Sequence, residues 1–165
     1  MSIWLWYSPL IKAVLSPLIA FGLLCFYHPY GWPKNAIWSV CLLWLSLGVI
    51  YTHIFEYLYH RFALHSGIPG LKVIKESHRK HHLIFNPLNY KTKTPADLKE
   101  VSSRWYIFPI LLFWHYFLFV FLFSRQASFA PILFFGILIR FLAYEITHYF
   151  SHLTDNFFDR WIVKI

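Results

Sequence analysis

AIWSVCLLWLSLGVIYTHIFEYLYHRFALH, residues 36–65, is an apolar run that keeps its helical character after its apolar character has ended. Between Ala36 and Tyr51 the side chains are almost all apolar, as in a helix surrounded by hydrocarbon. Past Tyr51 come Thr52, His53, Glu56, His60, Arg61 and His65, and no Pro or Gly interrupts the chain until Gly67. A helix continued from Tyr51 to His60 rises roughly 13 Å. Its terminal imidazoles are thereby expected just outside a hydrocarbon core about 30 Å thick, at the level of lipid headgroups.

Three further apolar runs repeat the theme. The first covers about Pro9 to Tyr27, the third about Trp105 to Phe123, and the fourth about Phe129 to Ala143, continuing toward His152. With their flanks, all four approach the ~20 residues that cross a bilayer, and Pro17 and Pro109 are tolerable in such helices. The connections HPYGWPKN (His28–Asn35) and SRQA (Ser124–Ala127) are short, which implies antiparallel helix hairpins. The segment from His60 to Arg104 is long and holds nine of the fifteen Lys/Arg, namely Arg61, Lys72, Lys75, Arg79, Lys80, Lys91, Lys93, Lys99 and Arg104. Basic loops stay on the cytosolic side. The expected fold is therefore all-α: a multi-pass membrane protein with four transmembrane helices as two hairpins, and both termini and the long loop cytosolic. Residues 1–165 read as a single domain.

Composition narrows the function classes. The chain is 58% hydrophobic, 22% aromatic and only 13% charged, with mean hydropathy +0.49. A net charge of +8 could serve nucleic acid, but the basic residues flank lipid-soluble segments, so no nucleic-acid partner is expected. Cys25 and Cys41 lie in apolar runs and read as small buried hydrophobes. The N-terminal MSIWLWYSPLIK lacks the basic start of a cleaved signal peptide.

Seven of the ten histidines fall into three groups: His60 and His65 in HRFALH, His78, His81 and His82 in HRKHH, and His148 and His152 in HYFSH. Helical residues three or four apart share a face, so His78 with His81 and His82, and His148 with His152, are spaced to hold a metal ion at about 2.0–2.1 Å. His60 and His65 are about 140° apart on an ideal α-helix. They require a helix end or turn between them, or bind different ions. All three groups are expected on one side, forming a His-rich metal cap. Ligands at helix ends argue against a metal carrier, which places them at the bilayer midplane.

The other histidines read as structural. His28 lies in the opposite turn, His53 about two turns before His60, and His115 in mid-membrane, where a hydrogen bond within the bundle is expected. Glu56 and Glu145 precede His60 and His148 by four and three residues. Each is a candidate to orient a histidine, to ligate directly, or to form an ordinary salt bridge or water contact. Arg140 is expected to snorkel to the headgroups.

Taken together and in order, YLYHRFALHS from Tyr57, SHRKHH from Ser77 and YEITHYFSH from Tyr144 resemble the fatty acid hydroxylase superfamily, which includes fatty acid 2-hydroxylases and sterol desaturases. The last stretch is closer to the fatty acid hydroxylase branch, and the resemblance spans about His53 to Asp159. It implies a membrane-bound, O2-dependent hydroxylase of a fatty acyl chain or a sterol, with two iron ions, Zn being the alternative metal for a purified form. It carries the ligand role to His60, His65, His78, His81, His82, His148 and His152. It further implies a membrane lipid substrate and a separate electron donor, a b-type cytochrome or similar with its reductase. The implied location is the endoplasmic reticulum for a eukaryotic chain and the inner membrane for a bacterial one. The family pattern also has a later H-x-x-H-H cluster, which the sequence through Ile165 does not contain. The expected domain is thus C-terminally incomplete, and the alternative reading is a truncated, catalytically inactive relative.

Overall fold

A computed structural model describes residues 4–65, 72–86, 90–92, 94, 96–102 and 104–153. Every element within them is helical. The main helices are α1 (Trp4–Phe26), α2 (Trp38–Leu58), α3 (Lys72–Ile84), α4 (Ile107–Leu122) and α5 (Ala130–His152). A π-helical segment, Tyr59–His65, prolongs α2, and short 3₁₀ turns cover Asp97–Glu100 and Ser124–Phe129.

Among the described residues, three stretches are long and apolar enough to cross a membrane: Trp6–Phe26, Trp38–His65 and Ser124–His152. The third apolar run forms a shorter helix. At 16 residues, α4 is about 24 Å long, because the backbone leaves the helical region at Phe123 (φ −125°, ψ 50°). Pro9 and Pro17 both lie inside α1 without ending it.

Helix α5 is central. It packs most extensively on α2 and also touches α1 and α4. The hairpin expected from α1 and α2 is not a principal packing pair: α1 lies against α4 and α5 instead. A short connection fixes which elements follow each other, while side-chain fit fixes which ones pack. Phe134, Leu138, Phe108, Leu112, Ala20 and Leu24 form the bundle core. The α2–α5 approach is close because both helices present glycine. A Cβ on Gly48 would lie 2.0 Å from the Leu133 carbonyl oxygen, and one on Gly136 2.2 Å from that of Leu45. Small residues that let backbones meet in this way are the usual basis of helix association in lipid.

A second cluster fastens the segment after α3 to one end of the bundle. Phe85, Leu98 and Val101 pack with Tyr149 and Leu153 of the α5 end and with Trp6 and Leu10 of α1. The Tyr149 hydroxyl donates to the Trp6 carbonyl. Lys91 Nζ donates to the carbonyls of Ser151 (3.0 Å) and Leu153 (2.9 Å). A cation there satisfies terminal carbonyls and complements the helix dipole. The Thr92 amide also donates to the His152 carbonyl at 2.8 Å.

Candidate metal centre

The structure brings the seven clustered histidines into two adjoining groups, each arranged to hold a metal ion. His60, His65, His78 and His82 form one, and His81, His148 and His152 the other. Within each group the potential ligand atoms lie within 4.8 Å of one another.

The four-histidine group depends on the π segment. Five residues apart, His60 and His65 diverge on an α-helix, but i→i+5 hydrogen bonding returns the fifth residue to the same face. Their Nε2 atoms stand 3.0 Å apart. His78 Nε2 is 3.2 Å from that of His65 and 3.0 Å from that of His82. Nitrogens bound at about 2.0–2.1 Å to one ion stand about 2.9 Å apart at right angles and about 3.4 Å apart at the tetrahedral angle. The observed spacings fall within that interval. So does the 3.2 Å between the Nε2 atoms of His148 and His152, one helical turn apart on α5.

Helix α3 serves both groups. On it His81 and His82 point about 100° apart, so HRKHH divides: His78 and His82 turn toward the π segment and His81 toward α5. Of the two pairings that spacing allowed, His78 with His82 falls within one group, and His78 with His81 is divided between the two. Rings remain close across the division, with His78 and His81 centroids 6.0 Å apart and those of His81 and His82 5.6 Å apart.

Two backbone carbonyls orient the three-histidine group. His81 Nδ1–H donates to the Glu100 carbonyl at 2.9 Å, and His152 Nδ1–H to that of Tyr90 at 2.6 Å. Each bond leaves Nε2 with its lone pair, the form a metal binds. Aromatic rings close the surroundings: Phe85 lies 4.3 Å from the His152 ring, and Tyr144 stacks on His148 at 5.2 Å. His152 is 9% exposed, whereas His60, His65 and His82 lie open. Burial and the neighbouring imidazoles His82, His60 and His65 push His78 down to about 4. Burial likewise lowers His81, against the raising effect of its Glu100 bond. Both are therefore neutral at physiological pH, as ligation requires.

Neither Glu56 nor Glu145 belongs to either group. Glu56 pairs with Arg140 (Oε2 to Nη2, 2.9 Å). Arg140 also donates to His53 Nδ1 at 3.3 Å. It thus faces α2. The signal that could have found this pair is that Glu56 and Arg140 are charged residues in apolar helices, where each needs a partner. Glu145 is buried at 1% exposure, one turn before Tyr149 on α5. His28 Nδ1 meets the Tyr116 hydroxyl at 2.7 Å, tying the turn to α4. His115 donates from Nδ1 to the Leu111 carbonyl of its own helix at 2.6 Å. The carbonyls of Glu100 and Tyr90 left no trace in the sequence, since every residue carries one.

Two cavities meet at the histidines. One, of about 410 Å³, lies among the π segment, α3, the 3₁₀ turn and α5, and is lined by imidazoles of both groups. The other, of about 160 Å³, runs between α2, α4 and α5, with walls that include Phe55, Leu111, Phe134, Ile137 and Phe141. Tyr59, His60, Leu64, Ile107 and Tyr144 line both. No family model, curated protein or solved structure matches this chain.

Proposed function

We propose that the chain is a membrane-bound di-iron hydroxylase that inserts one oxygen atom from O2 into a fatty acyl chain, with a sterol as the other candidate substrate. The observation that carries this reading is the junction at His60: a cavity lined by the two histidine groups adjoins an apolar cavity between the shorter α4 and the membrane-length α2 and α5. The donor set fits iron, since imidazole suits Fe as well as Zn, Cu and Ni. Oxygen insertion calls for a metal that changes oxidation state, which Zn does not do. His60, His65, His78 and His82 would hold one ion, and His81, His148 and His152 the other. Iron held there would supply the activation of O2.

The chain's own residues perform the remaining tasks. Phe55, Leu111 and Phe141 shield an aliphatic chain from water. Tyr59 and Tyr144, at the junction of the cavities, set where that chain passes the imidazoles. The carbonyls of Glu100 and Tyr90 keep the protons of His81 and His152 on Nδ1. Electrons come from a separate donor of the b-type cytochrome class with its reductase. In this reading four segments cross the membrane, α4 with help from its flanks, and the histidine cap faces the cytosol in the endoplasmic reticulum or a bacterial inner membrane.

His81, His148 and His152 would hold the second ion with one protein donor fewer than the four of the first group. The same count supports the second reading, an incompletely liganded and inactive relative. Lipid mass spectrometry of cells expressing the chain with and without His148→Ala separates the two. The hydroxylase reading expects acyl or sterol species heavier by one oxygen that vanish in the variant. Identical lipid profiles in the presence of an electron donor would leave the inactive reading standing.

A further inference from the structure

Several polar residues line the apolar cavity: Thr52 donates to the Gly48 carbonyl at 2.8 Å and Glu56 pairs with Arg140, and alongside Tyr51 stands a histidine that oxygen chemistry at the histidine groups does not use. His115 lines it from α4, with Tyr51 and Phe55 of α2 edge-on to its ring at 5.7 and 4.8 Å. Its Nδ1–H is committed to the Leu111 carbonyl at 2.6 Å. That bond fixes the tautomer and leaves Nε2 as an acceptor. Among the described residues Nε2 has no hydrogen-bond partner. A wholly aliphatic ligand would pass this nitrogen without satisfying it, and an acceptor desolvated in that way is costly.

The geometry points to His115 as a specificity-determining residue that accepts a hydrogen bond from a hydroxyl carried partway along the bound lipid. This inference rests on reading the cavity as the lipid site. Depth follows from the helices. Phe55, in contact with His115, is five residues before His60, and Ile107, at the cavity junction, is eight residues before His115. At 1.5 Å per residue these offsets place the acceptor roughly 8–12 Å below the junction. The favoured substrate class is therefore a lipid with two polar points: one near the histidine cap, and a hydroxyl about 8–12 Å along an otherwise apolar body. The imidazole of His115 is a recognition group and takes no part in bond making.

The test is a competition assay on the full chain in lipid nanodiscs, using a photoreactive stearate analogue displaced by stearate or by 10-hydroxystearate. The expected result is that 10-hydroxystearate competes about fivefold to thirtyfold better, the worth of one hydrogen bond in a dry site. His115→Phe should abolish that preference while stearate continues to compete, which also shows that the variant is folded. His115→Gln, which keeps an acceptor, should restore part of it. Equal competition by the two acids, or a preference that survives His115→Phe, overturns the role of His115 and leaves the lipid cavity intact. Failure of every chain to compete overturns both.

Discussion

Adding one methyl group at Gly136 tests whether the contact between α2 and α5 positions the metal cap. An alanine Cβ there would lie 2.2 Å from the Leu45 carbonyl oxygen, where ordinary contacts begin at 3.4 Å. The shortfall is about 1.2 Å, and at Gly48, with 2.0 Å to the Leu133 oxygen, about 1.4 Å. Both obstacles are backbone atoms, which cannot swing aside, so the helices must part. Overpacking of this kind costs ~1–3 kcal/mol, and the better helix propensity of Ala returns under ~1 kcal/mol. The expected net loss is about 1–2 kcal/mol for either variant. Once the helices have separated for one methyl the other finds room, so Gly48→Ala with Gly136→Ala should cost less than the sum of the two. Gly22→Ala is the matched control, since its Cβ would meet nothing within 4 Å. Denaturation of the purified protein in mixed micelles, followed by tryptophan fluorescence, reads the stability, and metal analysis reads the cap. Should Gly136→Ala prove as stable as Gly22→Ala and bind metal equally well, the close α2–α5 packing would not be what holds the site.

At saturating metal, substitutions in the two histidine groups should each empty one group. His82→Ala and His148→Ala are each expected to remove about one of two bound ions by elemental analysis, and the pair to remove both. Loss of both ions from His82→Ala alone under saturating metal would contradict the division. Deleting Ala63 should convert the π segment toward an α-helix in which His60 and His65 stand four residues apart, about 40° from each other and still on one face. Elemental analysis should then still find about two ions per chain, with helix content by circular dichroism unchanged; loss of an ion would show that the π geometry itself, rather than a shared face, is what the four-histidine group requires. Acidification should destabilise the metal-free protein between pH 6.5 and about 4. His78 is pushed down to about 4 from its ordinary 6.5, so across that window the unfolded chain binds more protons and stability rises with pH. Melting temperatures measured from pH 4 to pH 7 should increase over this range, and His78→Asn should flatten the dependence.

Much of the architecture could be read in advance because long apolar runs permit few alternatives. The runs around Ala36–Tyr51 and Phe129–Ala143 became α2 and α5, each continuing into its histidines as the unbroken sequence implied. Helical spacing also placed His148 with His152, and His78 with His82. What escaped was set by contacts distant in sequence. The partner choice of α1 depends on how its side chains fit α4 and α5, which no periodicity encodes. The union of His60 with His65 needed one helical segment to change its hydrogen-bond pattern, and the apolar–polar pattern of YHRFALH is equally compatible with an α-helix. Splitting HRKHH required knowing what lies on either side of α3. Of the alternatives open for Glu56 the salt bridge is the one found, and its partner, Arg140 across the α2–α5 interface, is what spacing along one helix does not name.

Helix α3 is only 13 residues long and polar, yet it supplies side chains to both histidine groups, between the end of α2 and the end of α5. It works as a clasp between two posts. Occupancy of either group draws α3 toward one post and thereby reduces the freedom of the residues that must be ordered for the other. The second ion then meets a partly assembled receptor, so the two should load cooperatively even though they share no ligand. Metal supply, in that case, sets how ordered this end of the protein is as well as how full each group is.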